Sequence, residues 1–150
     1  MQGIRIVRTG ISVYEVEVDL GKYASLSTAQ VKGFTGRLLR LFPSLGKHEC
    51  CAGEAGGFVE ELKKGTDFAH VMEHLIIEML KVTCRRGTRL SGWTRKKSKN
   101  YVIHFQAPDS SAGRRAALSA KKVVEGILEG KPLRRTSILR ELKQAKGVEH

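Results

Sequence analysis

No stretch of this chain reaches eighteen apolar residues, so no segment is expected to cross a membrane. The first residues, Met1-Gln2-Gly3-Ile4-Arg5, lack the apolar core of a secretory signal. Cysteine is scarce. Cys50, Cys51 and Cys84 make an odd count, two of them are adjacent, and none stands in a C-x-x-C pair. That spacing makes no zinc finger; it points to reduced thiols and a cytoplasmic home. Internal repeats and low-complexity segments are absent too. The run Gly53-Glu54-Ala55-Gly56-Gly57-Phe58 lacks the G-x-x-x-x-G-K-[ST] pattern and follows no clear strand, so it is not read as a phosphate loop. No Ser/His/Asp or Cys/His arrangement can be placed from spacing.

What remains is a chain of 150 residues, 41% hydrophobic, expected to form one domain over residues 1–150 with a core of its own. Its net charge of +12 is lopsided. Residues 1–84 carry ten basic and ten acidic side chains, whereas residues 85–150 carry seventeen basic and five acidic. That asymmetry suits an anionic partner; it suits a solvated basic surface equally well.

Hydrophobic periodicity gives an α+β class. Ile4 to Arg8 reads as a strand and Thr9-Gly10 as a turn. Tyr14, Val16, Val18 and Leu20 then alternate with Glu15, Glu17 and Asp19 in a half-buried strand. Val31 to Phe42 has helical spacing and ends at Pro43; Gly46 to Gly57 is a loop; Phe58 to Lys64 is a short helix closed by Gly65. A helix capped by Thr66 or Asp67 runs to about Thr83. Arg89–Thr94 and Asn100–Gln106 form a second hairpin, with Arg95-Lys96-Lys97-Ser98-Lys99 at its tip. Pro108 to Ser111 opens a helix stopped by Gly130 and Pro132, and Thr136 or Ser137 starts a last one. The expected architecture is two β-hairpins in a small sheet packed with four or five helices.

The chemistry concentrates in His70-Val71-Met72-Glu73-His74, an H-x-x-E-H run inside a helix. Residues i and i+4 share a helix face, so His70 and His74 can grip one Zn²⁺ while Glu73 reaches a water beside it. The order marks the inverzincin type of metallopeptidase. A solvated polar face would read the same. Ile77, inside the polar arc, favours a covered or cleft-lining one.

Two histidines do not complete a zinc site. Glu78 stands eight residues from His70, about 12 Å along the axis, too far to share one ion easily. It is read instead as acceptor for a ring N–H of His74. His48, in the glycine-rich loop, is the preferred third ligand, with Cys50 or Cys51 as the alternative. His104 alternates with apolar neighbours and reads as structural.

The second hairpin sets Trp93 and Tyr101 among Arg89, Arg95, Lys96, Lys97 and Lys99. Phosphate contact plus stacking could bind single-stranded nucleic acid. Because no RRM, KH or OB pattern accompanies it, Trp93 is expected on the core and nucleic acid is expected to bind only non-specifically.

Three blocks of residues carry a family resemblance. The first is Phe34, Arg37-Leu38-Leu39, Phe42-Pro43-Ser44-Leu45 and His48-Glu49-Cys50. The second is Gly53, Gly56-Gly57-Phe58-Val59, Leu62, Gly65-Thr66, His70 to His74 and Glu78. The third is Tyr101 to Phe105, Gly113-Arg114, Ala116-Ala117 and Leu128 to Pro132. Together they resemble the N-terminal domain of cyanophycin synthetase over nearly the whole chain. The resemblance implies a domain that precedes an ATP-grasp ligase and a Mur-ligase-like module. Those modules build cyanophycin, a polyaspartate bearing arginine on each side chain. It implies polymer binding and, as in some members, a zinc-peptidase-like site that cuts the polymer into primers. On that basis His70 and His74 are metal ligands, Glu73 is the base, and the partners are a polyamide polymer and a ligase. Two features depart from the pattern: no ATP-grasp or Mur-type sequence follows, so ligation by this chain alone is not expected, and the second half is more basic than the family implies.

Overall fold

The alternation of Tyr14, Val16 and Val18 with Glu15 and Glu17 fixes which face of the first hairpin turns inward. The structure is a computed structural model and describes residues 4–50, 53–88 and 90–147; Cys51 and Arg89, weighed above, lie outside these. β1 (Ile4–Gly10) and β2 (Val13–Val18) form the first hairpin, and β3 (Gly92–Lys97) and β4 (Asn100–Gln106) the second. β2 pairs with β4, so the two hairpins merge into one antiparallel sheet of order β1-β2-β4-β3. Tyr14, Val16 and Val18 face the core with Ile103 and Phe105, and the Tyr14 and Phe105 rings stack at 6.0 Å. β3 runs three residues past the expected end at Thr94. The turn is only Ser98-Lys99, with Ser98 at a φ of 56°.

The described residues form five α-helices. They are α1 (Phe34–Leu41), α2 (Gly57–Lys64), α3 (Phe68–Thr83), α4 (Ser110–Leu128) and α5 (Arg135–Gly147). Of these, α3 and α4 pack on the inner face of the sheet. α3 is the central one, packed against α4 on one side and against β3 and β4 on another. Phe68, Val71, Met72, Leu75 and Met79 form its fully buried stripe, as the periodicity requires. Asp67, rather than Thr66, caps it, accepting from the His70 N–H at 2.8 Å. Asp109 does the same for α4 through Ala112 at 2.8 Å.

Two local differences from the sequence reading bear on the site. α1 begins at Phe34 behind Gly33, whose φ of 79° breaks the helical run expected from Val31. Pro43 does not simply end that helix; it opens a 3-10 turn, Pro43–Lys47, that turns the chain back over α3. Among the described residues no helix is long and apolar enough to cross a membrane.

Candidate metal centre

The polar flank of α3 is covered. Glu73, His74 and Glu78 are only 7%, 4% and 7% exposed, so a solvated helix face is ruled out. Three segments do the covering. The 3-10 turn brings Ser44 and His48 to Glu78, α2 lays Phe58 on the imidazoles, and β3 sets Thr94 against Glu73. The Phe58 ring stacks on His74 at 3.8 Å and 13°, and meets His70 edge-on at 5.6 Å.

The loop before α2 reaches the site because residue 57 is glycine. A Cβ there would stand 3.2 Å from the Cys50 amide nitrogen and 3.5 Å from the Cys50 Cβ. With none in the way, the Phe58 N–H bonds the His48 carbonyl at 3.3 Å and Cys50 settles over α3. Its Sγ lies 3.5 Å from Nε2 of His70. Nε2 of His70 is in turn 3.2 Å from Nε2 of His74. The donor atoms of Cys50, His70 and His74 all fall within 4.8 Å of one another, a set that could hold a metal ion.

His48, preferred from sequence as the third ligand, is directed elsewhere. Its Nδ1 sits 2.9 Å from Nδ1 of His74, and its Nε2 is hydrogen-bonded to Oε1 of Glu78. Both ring nitrogens are thus engaged away from the cluster, whose third donor atom is the Cys50 sulfur. Glu78 does not meet His74 directly; it reaches that ring through His48. Ser44 donates to its other oxygen at 2.6 Å, and Lys81 lies 3.5 Å from Oε1.

These contacts fix the tautomers. A carboxylate only accepts, so a neutral His48 donates from Nε2 and its Nδ1 is bare. His74 must then donate from Nδ1, which leaves Nε2 as a lone pair facing the cluster. Thr66 Oγ1 is 2.9 Å from Nδ1 of His70. A hydroxyl can donate or accept there, so His70 can either donate its Nε2–H to His74 or offer that nitrogen as a second lone pair.

Charge follows burial. Desolvation, helped by the fields of His70 and His48, pushes His74 down to about 3, so the ring is neutral at ordinary pH. Burial alone would raise Glu78, but the hydrogen bonds from His48 and Ser44 override it and hold the carboxyl down to about 2. Glu73 moves the other way. Burial raises it, against a hydrogen bond from Thr94 at 2.6 Å and the field of His70. Gly92 permits that packing: a Cβ there would lie 2.9 Å from the His104 carbonyl oxygen and 3.4 Å from the Glu73 Cγ.

His70, Glu73, His74 and Ile77 form the floor of a cleft of about 890 Å³. Residues Gly92 to Lys96 of β3 make one wall, and Glu49, Cys50 and Glu61 stand on the other. Trp93 is not on the core as expected. It is 55% exposed on the outer face of the sheet, stacked on His104 at 3.8 Å, where Arg95 also donates to the imidazole at 3.2 Å. Thr94, Phe58, Ser44 and Gly57 were not singled out from sequence as site residues. Each acts through a contact with a different element, and no local pattern announces it.

Fold and site together define an α+β domain carrying a Cys-His-His donor cluster beside a buried glutamate. The sequence model of the cyanophycin synthase-like N-terminal domain matches residues 15–129. The cyanophycin synthetase of Crocosphaera subtropica is 31% identical over 116 residues, which is 76% of this chain and 13% of that protein. That of a Synechocystis species is 27% identical over 135 residues, 89% of this chain and 15% of the relative. That of Geminocystis herdmanii is 29% identical over 117 residues, 76% and 13% of the two chains. The chain belongs to the cyanophycin synthase-like N-terminal domain family, and it spans 13–15% of the length of these relatives.

Proposed function

We propose that this domain is a zinc-dependent hydrolase of amide bonds, acting on a peptide or amino-acid polymer in the context of a ligase. One observation carries the reading. Tetrahedral zinc with Zn–N near 2.05 Å and Zn–S near 2.3 Å separates two nitrogens by about 3.3 Å and sulfur from nitrogen by about 3.6 Å. The cluster has 3.2 Å between its imidazole nitrogens and 3.5 Å from the Cys50 sulfur to His70, with all three donors within 4.8 Å of one another. Three protein donors leave a fourth position open, the arrangement of catalytic rather than structural zinc.

A Zn²⁺ held by Cys50, His70 and His74 would supply Lewis acidity to a scissile carbonyl and to a water beside it. The remaining work falls to the chain itself. Glu73 lies on the floor of the same cleft with its carboxyl raised, which suits a group that must take a proton from water and return it to the leaving amine. Thr94 holds one Glu73 oxygen and leaves the other for that exchange. Phe58 closes one face of His74 against solvent. The names of the relatives supply the substrate class, a cyanophycin-like polyamide.

Those names also favour a second reading, a module that presents the polymer to a ligase without cutting it. One experiment separates the two. Zinc-loaded wild type should shorten a polyaspartate chain bearing arginine on its side chains, and Glu73→Gln should keep its metal and lose that activity. Binding without cleavage by fully loaded wild type would leave only the presenting module.

A further inference from the structure

β3 is an edge strand, and its free edge borders the cleft. Which of its backbone groups face outward follows from the register. Gln106 N–H bonds the Ser91 carbonyl at 3.2 Å, and Ala107 N–H bonds the Ser12 carbonyl at 3.0 Å on the other side of β4. In an antiparallel ladder the hydrogen-bonded pairs recur every second residue. Trp93 therefore exchanges bonds with His104, Arg95 with Val102 and Lys97 with Asn100. The intervening residues, Gly92, Thr94 and Lys96, point their N–H and C=O groups away from β4. Among the described residues none of those groups has a backbone partner.

The cleft wall agrees. Side chains alternate across a strand, so a surface facing one side of the sheet meets every second residue. The lining of this cleft takes in the consecutive residues Gly92 to Lys96, as at the edge of a strand, together with Tyr101 of β4. The five residues span about 16 Å at 3.3 Å each. The floor below them holds Glu73 and His74. Thr94 sits at the middle of the wall and bonds Glu73 directly. Arg95, Lys96 and Lys97 are exposed along the strand, the kind of charge that keeps an open edge from pairing with a second copy of the same protein.

We propose that the edge of β3 is the docking strand for substrate. An extended polyamide main chain adds to the sheet there, bonding the outward groups of Gly92, Thr94 and Lys96, and so lies along the cleft above Glu73. Donors and acceptors repeated at every second residue complement another extended backbone and no other common ligand. The mode reads the main chain, so it accepts a polymer whatever its side chains and holds successive amide bonds at one height over the site. It rests on the hydrolase reading for what happens to the bound chain, but not for the binding itself.

The probe is an octamer of aspartate with arginine amide-linked to each side chain, together with its analogue methylated at every backbone nitrogen. Binding is measured by calorimetry and by amide hydrogen exchange on the full chain as purified. The octamer should slow exchange of the Gly92, Thr94 and Lys96 amides, and the methylated analogue should bind at least about tenfold more weakly, having lost several backbone hydrogen bonds. Lys96→Pro removes one outward donor and no ladder bond, so it should weaken the octamer by about tenfold while Lys96→Ala changes it little. The methylated probe needs no variant, so a Lys96→Pro chain that fails to fold leaves the test standing. Equal affinity for both octamers, unaltered exchange at the three amides under saturation, or no binding of the parent octamer would each overturn the proposal. Metal content is read separately, so edge protection in a metal-poor preparation would support docking while counting against the zinc reading.

Discussion

Nδ1 of His74 lies 2.9 Å from Nδ1 of His48, and this contact between two buried imidazoles decides which nitrogen of His74 faces the cluster. Glu78 starts the chain of consequences. Its carboxylate demands a proton on Nε2 of His48; with that ring neutral, His74 must carry its own proton on Nδ1, which bares Nε2 beside His70 and Cys50. The carboxylate thus acts on a candidate metal ligand two hydrogen bonds away.

Glu78→Gln removes that demand while nearly preserving shape, because an amide can donate as well as accept. Zinc affinity should fall by about 10- to 100-fold, the usual loss when a partner that orients a ligand is changed. Competition with a chromophoric chelator measures it. An unchanged affinity would mean that the tautomer of His74 is set by something other than His48.

Acid should destabilise the metal-free protein in a defined order. The folded His74 sits at about 3 against 6.5 for the free group, so the unfolded chain binds its proton first, and stability declines as pH falls below 6.5. The folded Glu78 sits at about 2 against 4.5, so its contribution is present above pH 4.5 and is lost between 4.5 and 2. Urea midpoints across pH 7 to 2 should fall through both windows. In Glu78→Gln the additional loss below pH 4.5 should be reduced.

Much of this centre was legible in the sequence. The helix period placed His70, Glu73, His74 and Glu78 on one flank of α3, and alternation placed Tyr14, Val16 and Val18 on the inner face. The third donor was not legible. Choosing between His48 and Cys50 required knowing how far the loop folds back. That is set by the 3-10 turn at Pro43–Lys47 and by the missing Cβ at Gly57, two features with no periodic trace. Trp93 was misplaced because its register against β4, which sets it opposite His104, leaves no trace in the sequence. It falls on the outer face, where the imidazole of His104 offers a stacking partner in solvent.

Gly57→Ala tests the role of that missing Cβ. Alanine favours the helix by up to about 1 kcal/mol, while its Cβ presses on the backbone of Cys50. Overall stability should therefore shift by no more than about 1 kcal/mol in a urea titration. Zinc affinity should drop by about tenfold as Cys50 is displaced. A large loss of stability with unaltered affinity would place the glycine in the fold and not in the site.

The basic second half should attract polyanions weakly, because counterion release rewards any lysine-rich surface. One face of Trp93 is already taken by His104, so Trp93→Ala should alter binding to single-stranded DNA by less than about twofold, and raising salt from 50 to 200 mM should abolish most of it. Affinity that survives high salt and collapses with Trp93→Ala would reveal a stacking site for nucleic acid.

The most direct test of the centre itself is metal content. Protein purified without chelators should carry about one zinc per chain by mass spectrometry of the metal. The Cys50→Ser and the His70→Ala, His74→Ala variants, still folded by circular dichroism, should carry much less, while His48→Ala, which removes an orienting group and not a donor, should retain more than either. Equal metal in wild type and the double histidine variant, or a loss confined to His48→Ala, would contradict the assignment of Cys50, His70 and His74 as the metal-binding set.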